Sequence, residues 1–428
     1  MIKIFNYLLV LNVFLGGFVL FSSPFEFYVG YLFIVFFLMV YALYYDYVGI
    51  NYKFLLLLAL LTVCSLVNVY KNNTTIVLIS KQLFGILITG SAYYLLIKVN
   101  KCDIEKLFVI YLRISLIIAV IGIFQEFSYL IGFKSGYDYS VFIPKWHVAD
   151  TDWGVLKVNS ILLEPAHFAT SMAPAFLVSL DNIFRKSVFS QRKTDSIIIV
   201  ISFILTFSAV AYIAILISLF LISYHAKKIR YTSLAMIVIS VLAFSAYSYI
   251  PEIRTRVDDT FGIATGSIEA TDANLSTFSL VSNAYVAYNS FFDSPLFGHG
   301  LGSHPISYDK YVFGVIGGDI QEEVFGINKD DASSLFLRLA SETGLFGMVA
   351  VLYFVFKCYL KKSSNNTMQM ISNSILCMLL VSLLRQGHYF YNGLFFFVWL
   401  YYFSYKIYMS MNPEPYVLAN HGINDELY

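Results

Sequence analysis

The sequence predicts an all-α polytopic membrane protein, with about twelve transmembrane helices and one large external loop between the ninth and tenth. Three observations predict it. The chain has 428 residues, 58% apolar and 13% charged, against roughly 45–50% and about 25% in soluble domains. Apolar runs of about 18 residues or more recur along it, each long enough to cross ~30 Å of hydrocarbon. Lysine and arginine gather in short loops that the positive-inside tendency assigns to the cytoplasm.

The expected spans begin with 4–22, which Lys3 leads. No small-x-small cleavage site follows it, so this span is expected to be retained. Spans 27–45, 52–69, 76–97 and 107–131 come next, then a small external loop, 132–160, and a span over 161–183. The apolar run from Ser196 to His225 is read as two short spans, 196–208 and 209–224. Charge decides this: Arg185, Lys186, Arg192 and Lys193 precede it, and Lys227, Lys228 and Arg230 follow. Both basic loops belong on one side, so an even number of passes separates them. A span over 232–250 leads to the large external loop, 251–334, in which twelve acids face four bases, a net charge of −8. Spans 335–357, 368–386 and 389–409 close a single membrane domain covering 1–428. Both termini are then cytoplasmic, and 411–428 is a polar tail.

Composition also excludes. A net charge of +1 without a long basic block gives no footing for nucleic acid. Cys64, Cys102, Cys358 and Cys377 fall in spans or beside cytoplasmic loops; none has metal-ligand spacing, and free apolar thiols are expected. His299 and His304 flank a turn built on Gly298, Gly300 and Gly302, with no further ligands at sensible spacing, so no metal is expected. The glycines lack the spacing and βαβ setting of a dinucleotide site and read as a tight turn.

Irregular backbone cannot face lipid, so the polar, glycine-punctuated stretch from Asn289 to Gly347 draws the functional reading. Around it lie ionisable groups at expected membrane edges. Pro165 suits a first helical position, which makes Glu164 an N-cap at the outer face. His167 lies three residues on, on the same helix face, and an ionisable pair at that depth points to function. Arg254 and Arg256 follow the ninth expected span, Arg338 opens the tenth and Arg385 ends the eleventh, followed by Gln386, Gly387 and His388. Guanidinium groups hold a pyrophosphate well because they stay charged and bond bidentately. Simpler roles compete: Arg338 has Glu342 one helical turn later, and Arg254 and Arg256 have Asp258 and Asp259 nearby. Trp146 with His147, Asp150, Asp152 and Trp153 reads either as a sugar-gripping patch or as an interfacial aromatic belt.

Four stretches together resemble the bacterial O-antigen polymerase and O-antigen ligase superfamily of membrane glycosyltransferases. They are Glu164-Pro165-Ala166-His167-Phe168-Ala169, Thr206-Phe207-Ser208-Ala209, the run Ser294 to Gly302, and Glu342-Thr343-Gly344-Leu345-Phe346-Gly347. The resemblance implies glycan transfer from an undecaprenyl-diphosphate donor at the outer face of the plasma membrane, without metal, nucleotide or other cofactor. It implies a lipid-linked glycan donor and acceptor as partners, within membrane lipid, alongside a chain-length regulator and a flippase. Ligases of the family carry a His-Asn pair eleven residues before the first glycine of the G-x-x-G; counting back from Gly344 gives Ser333 and Ser334. That departure favours polymerase over ligase and leaves the general base open. The run Arg385-Gln386-Gly387-His388-Tyr389 looks like one that some polymerases carry.

On this reading Arg385, with Arg254 or Arg256, holds the departing diphosphate, and Glu164 or His388 is the base, with His304 and His167 in reserve. Arg338, His167, His299 and His304 complete the expected substrate-binding set. A flippase or other transporter is the alternative of a different class. The absence of an internal repeat and an external loop of about eighty residues count against it.

Overall fold

The computed structural model describes residues 1–21, 26–45, 49–151, 154–185, 188–225, 237, 240–241, 244–245, 247–316, 325–361, 365–390 and 393–411, and these are mostly helical. The expected span 232–250 lies largely outside the described residues, as do Asp152, Trp153, Asp319, Glu322, Glu323 and the tail from 412 onward.

The chain opens with α1 (Ile2–Leu11), extended by a 3₁₀ turn (Asn12–Phe14). A helix over 4–22 was expected; instead the backbone turns after Phe14 and pairs Val19–Phe21 with Phe27–Tyr28 as a short antiparallel hairpin. The helical stretch ends at Phe14 with Leu15 as its C-cap, and Gly17 then meets Ile143 so closely that a Cβ would lie 2.7 Å from it. Next come α2 (Val29–Tyr44), α3 (Tyr52–Tyr70), α4 (Ile76–Val99) and α5 (Ile104–Leu130). Their starts follow from local chemistry. The side chains of Asn51, Thr75 and Asp103 accept the free N–H groups that open α3, α4 and α5.

Helix α6 (Pro165–Phe184) starts at Pro165 with Glu164 in the N-cap position. It carries Pro174 in its interior, which removes one backbone donor. Beside that gap the Tyr111 hydroxyl donates to Ser171 O at 2.7 Å and accepts from Ala175 N at 3.2 Å, tying α5 to α6. Ala169, Ser171, Ala173 and Ala175 are buried, and these small side chains let α6 pack against its neighbours. Those neighbours are α7 (Lys193–Ile204), α8 (Ala209–His225) and the later helix α13. The two-helix reading of Ser196 to His225 matches the break observed at Leu205–Ser208, where Phe207 takes φ 44°.

The segment 251–334, expected as a large external loop, holds α9 (Pro251–Thr265), α10 (Leu275–Asp293) and α11 (His304–Tyr311), so the stretch from Asn289, read as irregular, is partly helical. Asn274 caps α10 by accepting Thr277 N, and Phe278 and Val286 are buried on a helix too polar to register as a span. Finally α12 (Leu335–Lys357), α13 (Asn366–Arg385) and α14 (Leu394–Met411) return the chain to the apolar core.

Helices α3, α4, α5, α12 and α13 are long and apolar enough to cross a membrane; α2 and α8 are apolar and shorter. The apolar core joins α1, α2, α4, α5, α6, α13 and α14, and α10 lies on α12.

Candidate functional site

Helix α12 is not continuous. Gly344 takes φ 58°, ψ −153°, a conformation open essentially to glycine alone. The break frees carbonyls on one side and N–H groups on the other, and inside a protein these need partners. The glycine turn supplies them. His299 N donates to Ser341 O at 2.9 Å and Gly300 N to Glu342 O at 2.8 Å. Leu345 N donates to Pro295 O at 2.8 Å and Phe346 N to Leu296 O at 3.0 Å. Backbones come this close only without side chains: a Cβ on Gly298 would lie 2.5 Å from Glu342 C, and one on Gly344 2.7 Å from Pro295 O. The corner between α3 and α4 holds the turn from its other side, with Asn68 donating to Gly298 O and Ser65 accepting from Leu301 N.

Glu342 anchors the same junction from its side chain. One carboxylate oxygen accepts Gly302 N at 2.8 Å; the other takes Arg338 Nε at 3.0 Å and His304 N at 3.3 Å. Both charges are fully buried, so the pair depends on these bonds to offset its desolvation. Arg338 also donates to Gly387 O at 2.9 Å and stacks over the Tyr389 ring.

Residues 196–352 match the family model described as O-antigen ligase (Wzy_C). The match covers less than half of the chain and supports the resemblance to the O-antigen ligase and polymerase superfamily. No curated protein matches the chain. The matched stretch contains the broken α12 and the turn that completes it, so two of the four motifs that carried the resemblance form one interlocked unit. The family implies glycosyl transfer in general, and with the apolar helices it indicates a multi-pass membrane protein.

Within the matched stretch and the segments packed on it, the expected residues sort into two groups. His299 and His304 belong to the turn. His299 is buried, with Nε2 donating to Asp293 at 3.1 Å and Nδ1 facing Ser307 Oγ at 3.0 Å. His304 is wholly buried, with Nε2 donating to Asn283 Oδ1 at 2.9 Å and Nδ1 facing Ser341 Oγ at 2.8 Å. Burial pushes the His304 ring down to about 3, with the Arg338 charge adding to the effect, so it is neutral at pH 7. Both histidines have their ring nitrogens engaged within the protein.

The second group surrounds His388. Its Nε2 lies 3.6 Å from Asp331 Oδ2. The charges of Arg338, His167 and Glu26 also bear on it. Arg385 feels both Arg256 and Asp331, and donates to Ser276 Oγ at the start of α10. Arg254 turns elsewhere, bonding Ser248 O and lying over the Tyr247 ring. Glu164 is exposed and makes no side-chain cap bond. Of the other aromatic patch, Trp146 is buried and donates to Ser160 O, so it is no open platform for a sugar ring.

Asp331 and Glu26 were not singled out from the sequence. Asp331 sat unremarked in an acidic run, and Glu26 beside an apolar one. Glu26 is bonded to Lys145 and Tyr28, so the hairpin after α1 and the segment 132–160 meet near His388. An isolated acid on an expected membrane edge was the available signal for Glu26.

Proposed function

We propose that this protein polymerises undecaprenyl-diphosphate-linked oligosaccharide repeat units into O-antigen or capsular polysaccharide at the outer face of the bacterial plasma membrane. The observation that carries the reading is His388 Nε2 lying 3.6 Å from Asp331, with Arg385 within electrostatic reach of both that carboxylate and Arg256. The two guanidinium groups suit a leaving diphosphate that gathers negative charge. His388, half accessible beside them, suits the acceptor hydroxyl's proton. It serves better as base than Glu164, which is exposed at the start of α6. An apolar cavity of about 390 Å³ beside Tyr389, walled by Leu58, Ile86, Leu339 and Phe395, offers a place for a polyprenyl chain.

In this reading the chain makes twelve passes with both termini in the cytoplasm, and 132–160 and 251–334 lie outside. The basic loops and the net charge of −8 on 251–334 support that arrangement. Donor and acceptor are both lipid-linked, a flippase and a chain-length regulator work alongside, and no metal or cofactor takes part.

A ligase is the second reading, favoured by the description of the matching family. Ser333 and Ser334 stand where family ligases carry their His-Asn pair, which supports the polymerase. The glycan ladder of a deletion strain tests both. Single capped units, restored to polymer by the intact gene, are expected; unligated lipid-linked polymer means ligase, and loss of the external lipid-linked unit means flippase.

A further inference from the structure

Asp331 and His388 are held together by more than their charges. Gly387 packs on the Asp331 backbone so tightly that a Cβ there would lie 1.4 Å from the Asp331 carbonyl oxygen. Gly387 O also accepts a hydrogen bond from Arg338 at 2.9 Å. The second Asp331 oxygen accepts Ser333 N at 2.9 Å, which leaves Oδ2 turned toward His388 Nε2. Backbone and side chain therefore converge on one arrangement of the pair.

We infer that Asp331 is a positioning residue, holding His388 with its proton on Nε2 so that Nδ1 presents its lone pair to the acceptor hydroxyl. The inference rests on the polymerase reading and names how its base is oriented. In the step, the acceptor oxygen forms a bond to the donor's anomeric carbon while the bond from that carbon to the diphosphate oxygen breaks. The diphosphate leaves with the electron pair, and the hydroxyl proton passes to Nδ1. The imidazolium so formed is stabilised by the Asp331 carboxylate. The groups that face His388 are Asp331, Glu26, Arg338 and His167. Crowding by protein lowers its pKa, Arg338 and His167 add to that, and Asp331 is the largest opposing influence.

The test uses the full-length protein in detergent, with lipid-linked repeat unit extracted from the parent cells as substrate. D331N keeps an oxygen for Ser333 N and removes the charge. The expected result is a roughly tenfold or greater fall in kcat, within the ~10²–10⁴-fold range of general-base help. KM should change little, and the acid limb of the pH–rate profile should move to lower pH. D331E should recover part of the rate. An unchanged rate, or a lowered rate with an unmoved acid limb, overturns the inference. H388N separates it from the parent reading: polymer formed normally by H388N removes His388 as base whatever Asp331 does.

Discussion

Gly302 N and Arg338 Nε meet the two oxygens of one carboxylate, Glu342, at 2.8 and 3.0 Å, in a site with no solvent exposure. A turn in the polar segment and a helix of the apolar core thus share a single buried anion. Removing one member leaves an uncompensated charge, which is strongly destabilising at about 3–5 kcal/mol. Glu342→Ala and Arg338→Ala should each sharply reduce folded protein and lower the detergent melting temperature. The double variant should fall less than the two losses added together. Simple additivity in the melting curves would show the pair to be uncoupled.

The break in α12 makes a second prediction. Gly344→Ala and Gly298→Ala each place a Cβ within 2.7 Å of opposing backbone. The left-handed conformation alone costs roughly 1–2 kcal/mol for a non-glycine residue; the glycine-only geometry at Gly344 and the backbone collisions come on top. Gly266 takes φ 73° at the end of α9 with nothing near its Cβ position, so Gly266→Ala isolates the conformational cost. Size-exclusion yield should rank Gly266→Ala well above the other two.

His304 gives a pH dependence whose sign can be worked out. Its folded value, about 3, lies below the ordinary histidine value of 6.5. The neutral ring is therefore favoured by folding, and the stability it confers is fully present above about pH 6.5. That stability drains away as pH falls toward 3. Melting temperatures of the intact protein should decline across this window, and His304→Asn, less stable at pH 7, should show a shallower decline. Parallel slopes would exclude His304 as the source.

Arg385 and Arg254 should behave differently, although both were candidates for the same task. Arg385→Ala should abolish polymer while protein level and single-unit surface glycan persist. Arg254→Ala should leave a near-normal glycan ladder, since that side chain is engaged at Tyr247 and Ser248. Normal-length polymer from Arg385→Ala would remove it from the diphosphate site.

What the sequence made legible follows a physical pattern. Long apolar helices were readable because hydropathy acts within one stretch of chain. The break between α7 and α8 was readable from charge on its flanks. Helices α9 to α11 escaped because polar helices carry a weak hydropathy signal, although Asn274 before Phe278 and Val286 was a usable cap-and-stripe cue. The glycine turn was recognised, but not its partner. Gly298 and Gly344 each exist for a contact with the other's surroundings, and no local pattern announces a backbone ladder between distant segments. Asp331 escaped for the same reason: its meaning comes from Gly387 and His388, which follow two helices later.

The seating of Gly387 on Asp331 also has a consequence for how the protein matures. The two residues flank the α12–α13 hairpin, so their contact forms only once both of those helices have been made and folded back on each other. A chain halted before α13 is complete holds Asp331 without its seat on Gly387 and lacks Arg385 as well. The His388–Asp331 pairing is therefore among the last contacts the growing chain can make.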